Sequence, residues 1–467
     1  MPNEHAQDRP LWGSRVQAPL TRVAMELSSS TDVDLPLAVH DIAATRAHLQ
    51  ELERLGLLEA GGRTKLDGAL ASVAAAIEDG SFAWSEEHED VHMNVEAAVR
   101  TAVGPELAGQ LQAGRSRNEE VVTDERLWLL AAVTRLDSAL RKLQLTVVTR
   151  AEEHLGTIVP AHTHTQPAQP MLLAHHLLAY VEMLDRDRGR LADAARRADA
   201  SPAGSGAAVG SGLPLDREAV AERIGFTSIT ANSLDAVADR DYAVELTAAA
   251  ATALMHLSRM AADLVSWSTP YYRFARIGDG HATGSSMLPN KRNPDIAELV
   301  RGRAARAQGD LTTVIGVQVG LPLGYHRDLQ ETRGPVQRTV ASLELCLAAM
   351  DEMLAGVTFP AETMAAAAGS GHALATALAE RLLRAGVPFR DAHWRVGELV
   401  ARAEAAGCDV TELSVADLRG ALPELAELDP IVPTLAEAIA AADLPGGTAP
   451  NRVSAALAAA RERITAT

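Results

Sequence analysis

A chain of 467 residues is longer than one typical core supports, so two or three packed units are expected. With 61 acidic against 43 basic residues, a net of −18, it lacks the basic footprint of a nucleic-acid binder, and any anionic substrate must find a local cationic pocket. Two distant cysteines, Cys346 and Cys408, a polar stretch from Met1 to Pro10 and no uncharged apolar run of about 18 residues exclude a disulfide scaffold, a secretory signal and a membrane span, so a cytoplasmic protein is expected.

Hydrophobic residues make up 47% but aromatics only 3%, and Ala and Leu dominate over β-branched types, which favours helix over strand. Asp41 to Gly56 and Lys65 to Gly80 read as short amphipathic helices separated by the Gly61-Gly62 turn. His88-Glu89-Asp90-Val91-His92 then matches the zinc-peptidase pattern of two histidines one helical turn apart around a glutamate. Its polar surroundings, from Trp84 to Glu87, and the lack of a nearby third ligand make an accidental match the better reading.

The polar segment 113–120, AGRSRNEE, follows. Arg117 in it can grip a carboxylate through two parallel hydrogen bonds, although Arg115 and Arg117 fit a solvated basic patch equally well. A long helical pattern runs from Val121 to Glu153. The loop HTHTQPAQP at 162–170 offers hydroxyl, imidazole and amide groups in Thr163, His164 and Gln166, and a histidine there is either an acid-base group or a simple cap.

Further long helices are expected over Met171 to Ala200 and Ser233 to Ser268, joined by the Gly-rich stretch Gly204 to Gly212, which follows no strand and reads as a tight connection rather than a phosphate cradle. Next comes GSSMLPNKRNP at 284–294. Asn293 is placed as an N-cap with Pro294 at the first helical position, so loop amides and the Lys291 ammonium make a site for a carboxylate gaining charge. An ordinary capped loop is the competing reading, but only Lys65, Lys142 and Lys291 among the 43 basic residues are lysines, which favours a function.

Pro294 to Val319 and Asp328 to Ala355 complete five long helices, with GYHRDLQ at 324–330 between them adding Tyr325, Arg327 and Gln330. Gly369 to Cys408 reads as a short-helix unit and Leu435 to Arg463 as a helical tail. The fold class expected is all-α, a central bundle of long helices over residues 119–362 between smaller helical domains at 1–118 and 363–467.

These loops, in this order, resemble the argininosuccinate lyase family of the fumarase/aspartase superfamily over nearly the whole chain. The matching segments are Leu11-Trp12-Gly13, EDVHMNVE at 89–96, AGRSRNEEVVTD at 113–124, THTQPAQP, NSLDA at 232–236, RDY at 240–242, HLSRMAADL at 256–264, the GSS loop and GVPFRDAHWRVG at 386–397. So many ordered matches dispose of the zinc reading of His88 to His92.

The resemblance implies a homotetramer whose active sites are each assembled from three subunits, a small anionic substrate of the N-substituted succinate type, anti elimination of fumarate, and no metal or organic cofactor. It implies Ser285 as the base that takes a proton from the carbon next to the nitrogen-bearing one. Lys291 and Asn293 would stand beside the resulting aci-carboxylate, and His164 paired with Glu298 would be the acid-base partner. Ser30, Ser116, Arg117, Asn118, Thr163, Tyr325, Arg327 and Gln330 match positions that bind the fumarate and amine portions. A catalytically silent structural relative is a different class of outcome, and the presence of Ser285 and His164 speaks against it.

This chain departs from the family pattern in several places. Leu288 precedes the loop proline where Met is usual, Gln112 replaces His, Glu119-Glu120 replaces Asp-Gln, His162 replaces Tyr, Thr332 replaces Asp, and Arg327 replaces Lys. The elimination residues are intact, so the departures bear on the amine half of the substrate. Argininosuccinate is the first expectation, and another nitrogen-substituted succinate in secondary metabolism is the alternative.

Overall fold

The fold is taken from a computed structural model that describes residues 20–85 and 87–466. Leu11-Trp12-Gly13, the stretch Met1 to Pro10 and Glu86 lie outside the described residues. The structure is all-α, with long helices at Arg117–Glu153, Leu173–Ala198, Asp241–Trp267, Asp295–Gln318 and Arg333–Gly356. Among the described residues no helix is long and apolar enough to cross a membrane.

Two compact units emerge, one of Met1–Leu136, Gly189–Ala251 and Arg306–Ser342, the other of Asp137–Arg188, Thr252–Ala305 and Leu343–Thr467. In the first, Ala38–Arg54, Gly62–Glu78 and Val91–Val103 bury Ile42, Leu49, Leu52, Leu66, Leu70, Val95 and Val99 together. Apolar residues at helical spacing form one stripe on each helix, and closing the three stripes removes them from water. In the second, Ala375–Arg384 and Phe389–Ala406 pack Leu378, Leu382, Val396 and Leu399 with Val410 and Leu425.

Three expectations are corrected. The pattern read as one helix from Ser233 to Ser268 is two, Ser233–Ala238 and Asp241–Trp267. Asp239 is extended and its side chain accepts the Asp241 N–H at 2.7 Å, so an aspartate caps the second helix without any Pro or Gly to announce the break.

The segment read as the loop HTHTQPAQP belongs to an antiparallel hairpin, Ile158–Thr163 with Gln166–Leu172. Pro160, Pro167 and Pro170 are tolerated because each strand of a two-stranded sheet has one side free, where a proline's missing N–H costs no ladder bond.

Asn293 is not the cap of the helix that follows it. It pairs with Thr283 in a second, two-residue ladder, and the Pro294 carbonyl accepts the first helical bond, from the Glu298 N–H at 3.1 Å. The Gly204 to Gly212 segment forms the expected tight turns between Leu173–Ala198 and Arg217–Ile224. Cys346 is buried and Cys408 half-buried, both free.

Candidate active site

In the first unit, an N-terminal segment, the start of the helix Arg117–Glu153 and the 3-10 turn Arg327–Thr332 converge. The Ser30 N–H donates to the Glu89 carbonyl at 2.9 Å and its buried hydroxyl to Asp34 Oδ2 at 2.5 Å. Arg327 Nη1 donates to Glu89 Oε1 at 2.6 Å and Nη2 to the Ser28 carbonyl. Ser30 and Arg327, 297 residues apart in sequence (327 minus 30), therefore share Glu89 as a neighbour.

Arg117 is no solvated cation: Nη1 donates to Glu120 Oε2 at 2.7 Å, and Nε lies 3.3 Å from Asp90 Oδ2. Ser116 Oγ accepts the Asn118 N–H at 3.3 Å, and Asn118 Nδ2 donates to the Ala207 carbonyl at 3.1 Å. Arg115 turns inward to Thr45 Oγ1 and the Leu111 carbonyl. Tyr325 is half-buried, and Gln330, in the same 3-10 turn as Arg327, is buried.

Beneath these residues lie two charge networks that sequence reasoning missed. In one, Arg333 reaches Asp34 through Nη1 and Glu125 Oε1 through Nε at 2.6 Å, while Arg240 and the Tyr242 hydroxyl contact the other oxygen of Glu125. In the other, buried His92 meets Asp124 at 2.9 Å, with Asp90 Oδ2 3.6 Å from its second nitrogen and Asp41 beyond. The helix begins only at Val91, so His88 and His92 never occupy one helical face, and His92 serves this acidic cluster instead.

Burial pushes the Asp124 carboxyl up to about 8. His92, against burial and the Arg117 charge, is raised well above the usual imidazole value by Asp41, Asp90 and Asp124. Asp90, although buried, is held low by His92 and Arg117. Asp90 and Glu120, both held below the ordinary carboxylate range despite burial, give Arg117 an anionic floor. Asp124 and Glu125 stand within the apolar repeat of the helix Arg117–Glu153, and a charge on an apolar face is the signal that points to such a network.

In the second unit, the hairpin carries Thr163 and His164 at its exposed tip, and the chain then returns into buried Pro170 and Leu172. His162, below the tip, packs edge-on against Tyr272 with ring centroids 5.8 Å apart. Behind the hairpin, His176 and Tyr180 both bond Asp263 Oδ2, at 2.7 and 2.5 Å.

The Ser285 loop leaves and re-enters through the Thr283↔Asn293 and Gly284↔Arg292 pairs, so both ends are pinned. Thr283 bonds Asp295, and Arg292 bonds Asp279 and the Ile277 carbonyl. Within the loop the Ser285 hydroxyl oxygen accepts the N–H groups of Met287 at 3.3 Å and Leu288 at 3.0 Å. Lys291 is exposed, and Glu298 lies 3.8 Å from Arg301. Within one chain no hydrogen bond or ion pair joins His164 to Glu298, although both lie in this unit.

The structure thus brings Ser30, Ser116, Arg117, Asn118, Tyr325, Arg327 and Gln330 into the first unit and Thr163, His164, Ser285, Lys291, Asn293 and Glu298 into the second. Chemically, the first set offers cations and donors for carboxylates. The second offers an oxygen nucleophile or base, an imidazole and a free ammonium.

A family model described as lyase matches residues 15–309, and one described as argininosuccinate lyase C-terminal matches residues 372–440. The chain is 42% identical over 464 residues to the argininosuccinate lyase of Thioalkalivibrio sulfidiphilus (strain HL-EbGR7), covering 99% of each. Among solved structures it is similar to a variant of EDDS lyase with bound fumarate, at 25% identity and a TM-score of 0.81 over 95% of this chain and 88% of that one. It also shares the fold of the fumarate lyase:delta crystallin from Brucella melitensis bound to cobalt, at 20% identity and a TM-score of 0.71 over 84% and 90% of the two chains.

Proposed function

The chain belongs to the argininosuccinate lyase family of the fumarase/aspartase superfamily, a carbon-nitrogen lyase family, and on that premise we propose that it converts argininosuccinate into arginine and fumarate. Ser285 Oγ takes the proton from the carbon next to the nitrogen-bearing one, leaving a doubly charged aci-carboxylate. The carbon-nitrogen bond then breaks, its electrons leave with the nitrogen of arginine, and fumarate remains.

The observation that carries this reading is the pair of amides donating to Ser285 Oγ. A serine is a weak base at its ordinary proton affinity, and two N–H dipoles fixed on the oxygen lower the cost of its deprotonated form. Lys291 and Asn293 flank the same loop and stand beside the aci-carboxylate. Arg117 and Arg327, with Ser30, Ser116, Asn118, Tyr325 and Gln330, hold the substrate carboxylates and the amine portion. Thr163 belongs with these substrate-binding groups, and His164, paired with Glu298, is the acid-base partner.

Assembly into a homotetramer belongs to the same reading. It is supported by apolar side chains left exposed on three long helices, among them Leu299 at 62% and Leu345 at 55%. A small anionic substrate, no membrane association and a cytoplasmic location complete it.

The experiment is to follow fumarate formation from argininosuccinate for the wild type and Ser285→Ala. We expect turnover to fall about a hundredfold to ten-thousandfold with substrate binding kept, and normal turnover in the variant removes Ser285 as the base. A second reading, another nitrogen-substituted succinate as substrate, is favoured by the departures at Gln112, His162, Leu288, Arg327 and Thr332. A panel of succinyl-amines giving fumarate where argininosuccinate gives none would select it.

A further inference from the structure

His164 and Thr165 are the two central residues of the hairpin turn, between the paired residues Thr163 and Gln166, and both have positive φ, 54° and 60°. Two-residue turns of this hand match the twist of the strands, but they are normally built from Asn-Gly or Gly-containing pairs because side chains crowd the backbone there. For a β-branched residue such as Thr165 the conformation is a true outlier. Such outliers persist only where the surroundings impose them, and they gather at functional sites.

The arms of the hairpin supply the constraint. The Leu172 N–H donates to Thr448 Oγ1 at 2.8 Å, the Leu173 N–H to the Thr157 carbonyl at 2.8 Å, and Val159 and Leu172 are buried. A register shift between Ala161 and His162 twists the arms further toward the tip. The chain must reverse within two residues, and neither is a glycine. Thr165 answers with its own side chain: Oγ1 donates to the His164 carbonyl at 2.6 Å, tying the strained residue to the peptide unit that carries the histidine.

We propose that Thr165 is a positioning residue, whose stiff, left-handed backbone and hydroxyl bond fix the direction in which His164 leaves the hairpin tip. The inference rests on the reading that His164 acts on the substrate. A glycine at 165 would adopt the same φ without strain, so the strained residue sacrifices stability that a freer one would return.

The test compares Thr165→Gly, Thr165→Asn and His164→Asn in the full-length protein by thermal melting and steady-state fumarate formation. Thr165→Gly should melt at the same temperature as the wild type or a few degrees higher. It should lose about tenfold to a hundredfold in kcat with KM little changed, because a catalytic group displaced by about 1 Å loses that much. Thr165→Asn, whose side chain tolerates the left-handed region and keeps a hydrogen-bonding group, should recover most of the loss. His164→Asn reports on the premise. If it is inactive while Thr165→Gly retains wild-type kcat, the positioning role is overturned and the role of His164 stands. If His164→Asn is fully active, the premise fails and the inference with it. A Thr165→Gly variant that loses melting temperature and kcat together also overturns it, since that is loss of the hairpin itself.

Discussion

His92 Nε2 lies 2.9 Å from Asp124 Oδ2, with His92 at 3% and Asp124 at 0% exposure, so water contributes almost nothing to the balance of charge between them. Both groups hold a proton more tightly in the folded state than in the unfolded one. Their stabilisation is therefore complete below the unfolded values, 3.8 for the carboxyl and 6.5 for the imidazole, and is lost as pH rises through the folded values, about 8 for Asp124. Thermal melts taken from about pH 6 to 9 should show the wild type losing stability and Asp124→Asn, which fixes the neutral state, losing less. Parallel slopes for the two proteins would show that the pair is not the source.

Arg333 joins Asp34 and Glu125 where both carboxylates are buried. Arg333→Met should cost about 3–5 kcal/mol in urea unfolding, because removing one member leaves buried charge without a partner. Arg333→Lys should not restore it, since an ammonium cannot reach both carboxylates in the planar geometry of a guanidinium. A loss below about 1 kcal/mol in the Met variant would mean that the network relaxes to water.

Thr283 and Asn293 close the base of the Ser285 loop. Thr283→Val keeps the shape and removes the hydroxyl bonds to Asp295 and Asn293. Turnover should fall by about tenfold while the melting temperature stays within a degree or two, because the residue is exposed and the loop carries little of the core. A parallel drop in melting temperature would reassign Thr283 to the fold.

Arg327 has 49% of its side chain exposed, so its pair with Glu89 adds less than about 1 kcal/mol to stability. Arg327→Ala should leave unfolding nearly unchanged and raise KM by about tenfold to a hundredfold, the range of one charged hydrogen bond to a carboxylate. Unaltered KM would place Arg327 outside the substrate contacts.

Much of the helical frame is legible because periodicity and the lack of Pro and Gly are local properties. Arg117–Glu153, Leu173–Ala198 and Asp295–Gln318 all begin and end within a few residues of their patterns. The break at Asp239 and the hairpin at 158–172 were hidden for the opposite reason. An aspartate can cap a helix or sit within one, and a proline-rich stretch can be a loop or a pair of edge strands, and only neighbours decide.

By itself the sequence determined the all-α class, the family and the chemical types gathered in its polar loops, since motif order and residue identity survive any arrangement in space. Tertiary structure alone decided that Arg117 rests on Asp90 and Glu120, that His92 serves an acidic cluster rather than a metal-type pair with His88, and that two loop amides turn onto Ser285 Oγ. Burial sets what a charge costs and packing sets which partner meets it, and neither quantity exists before distant segments of the chain come together.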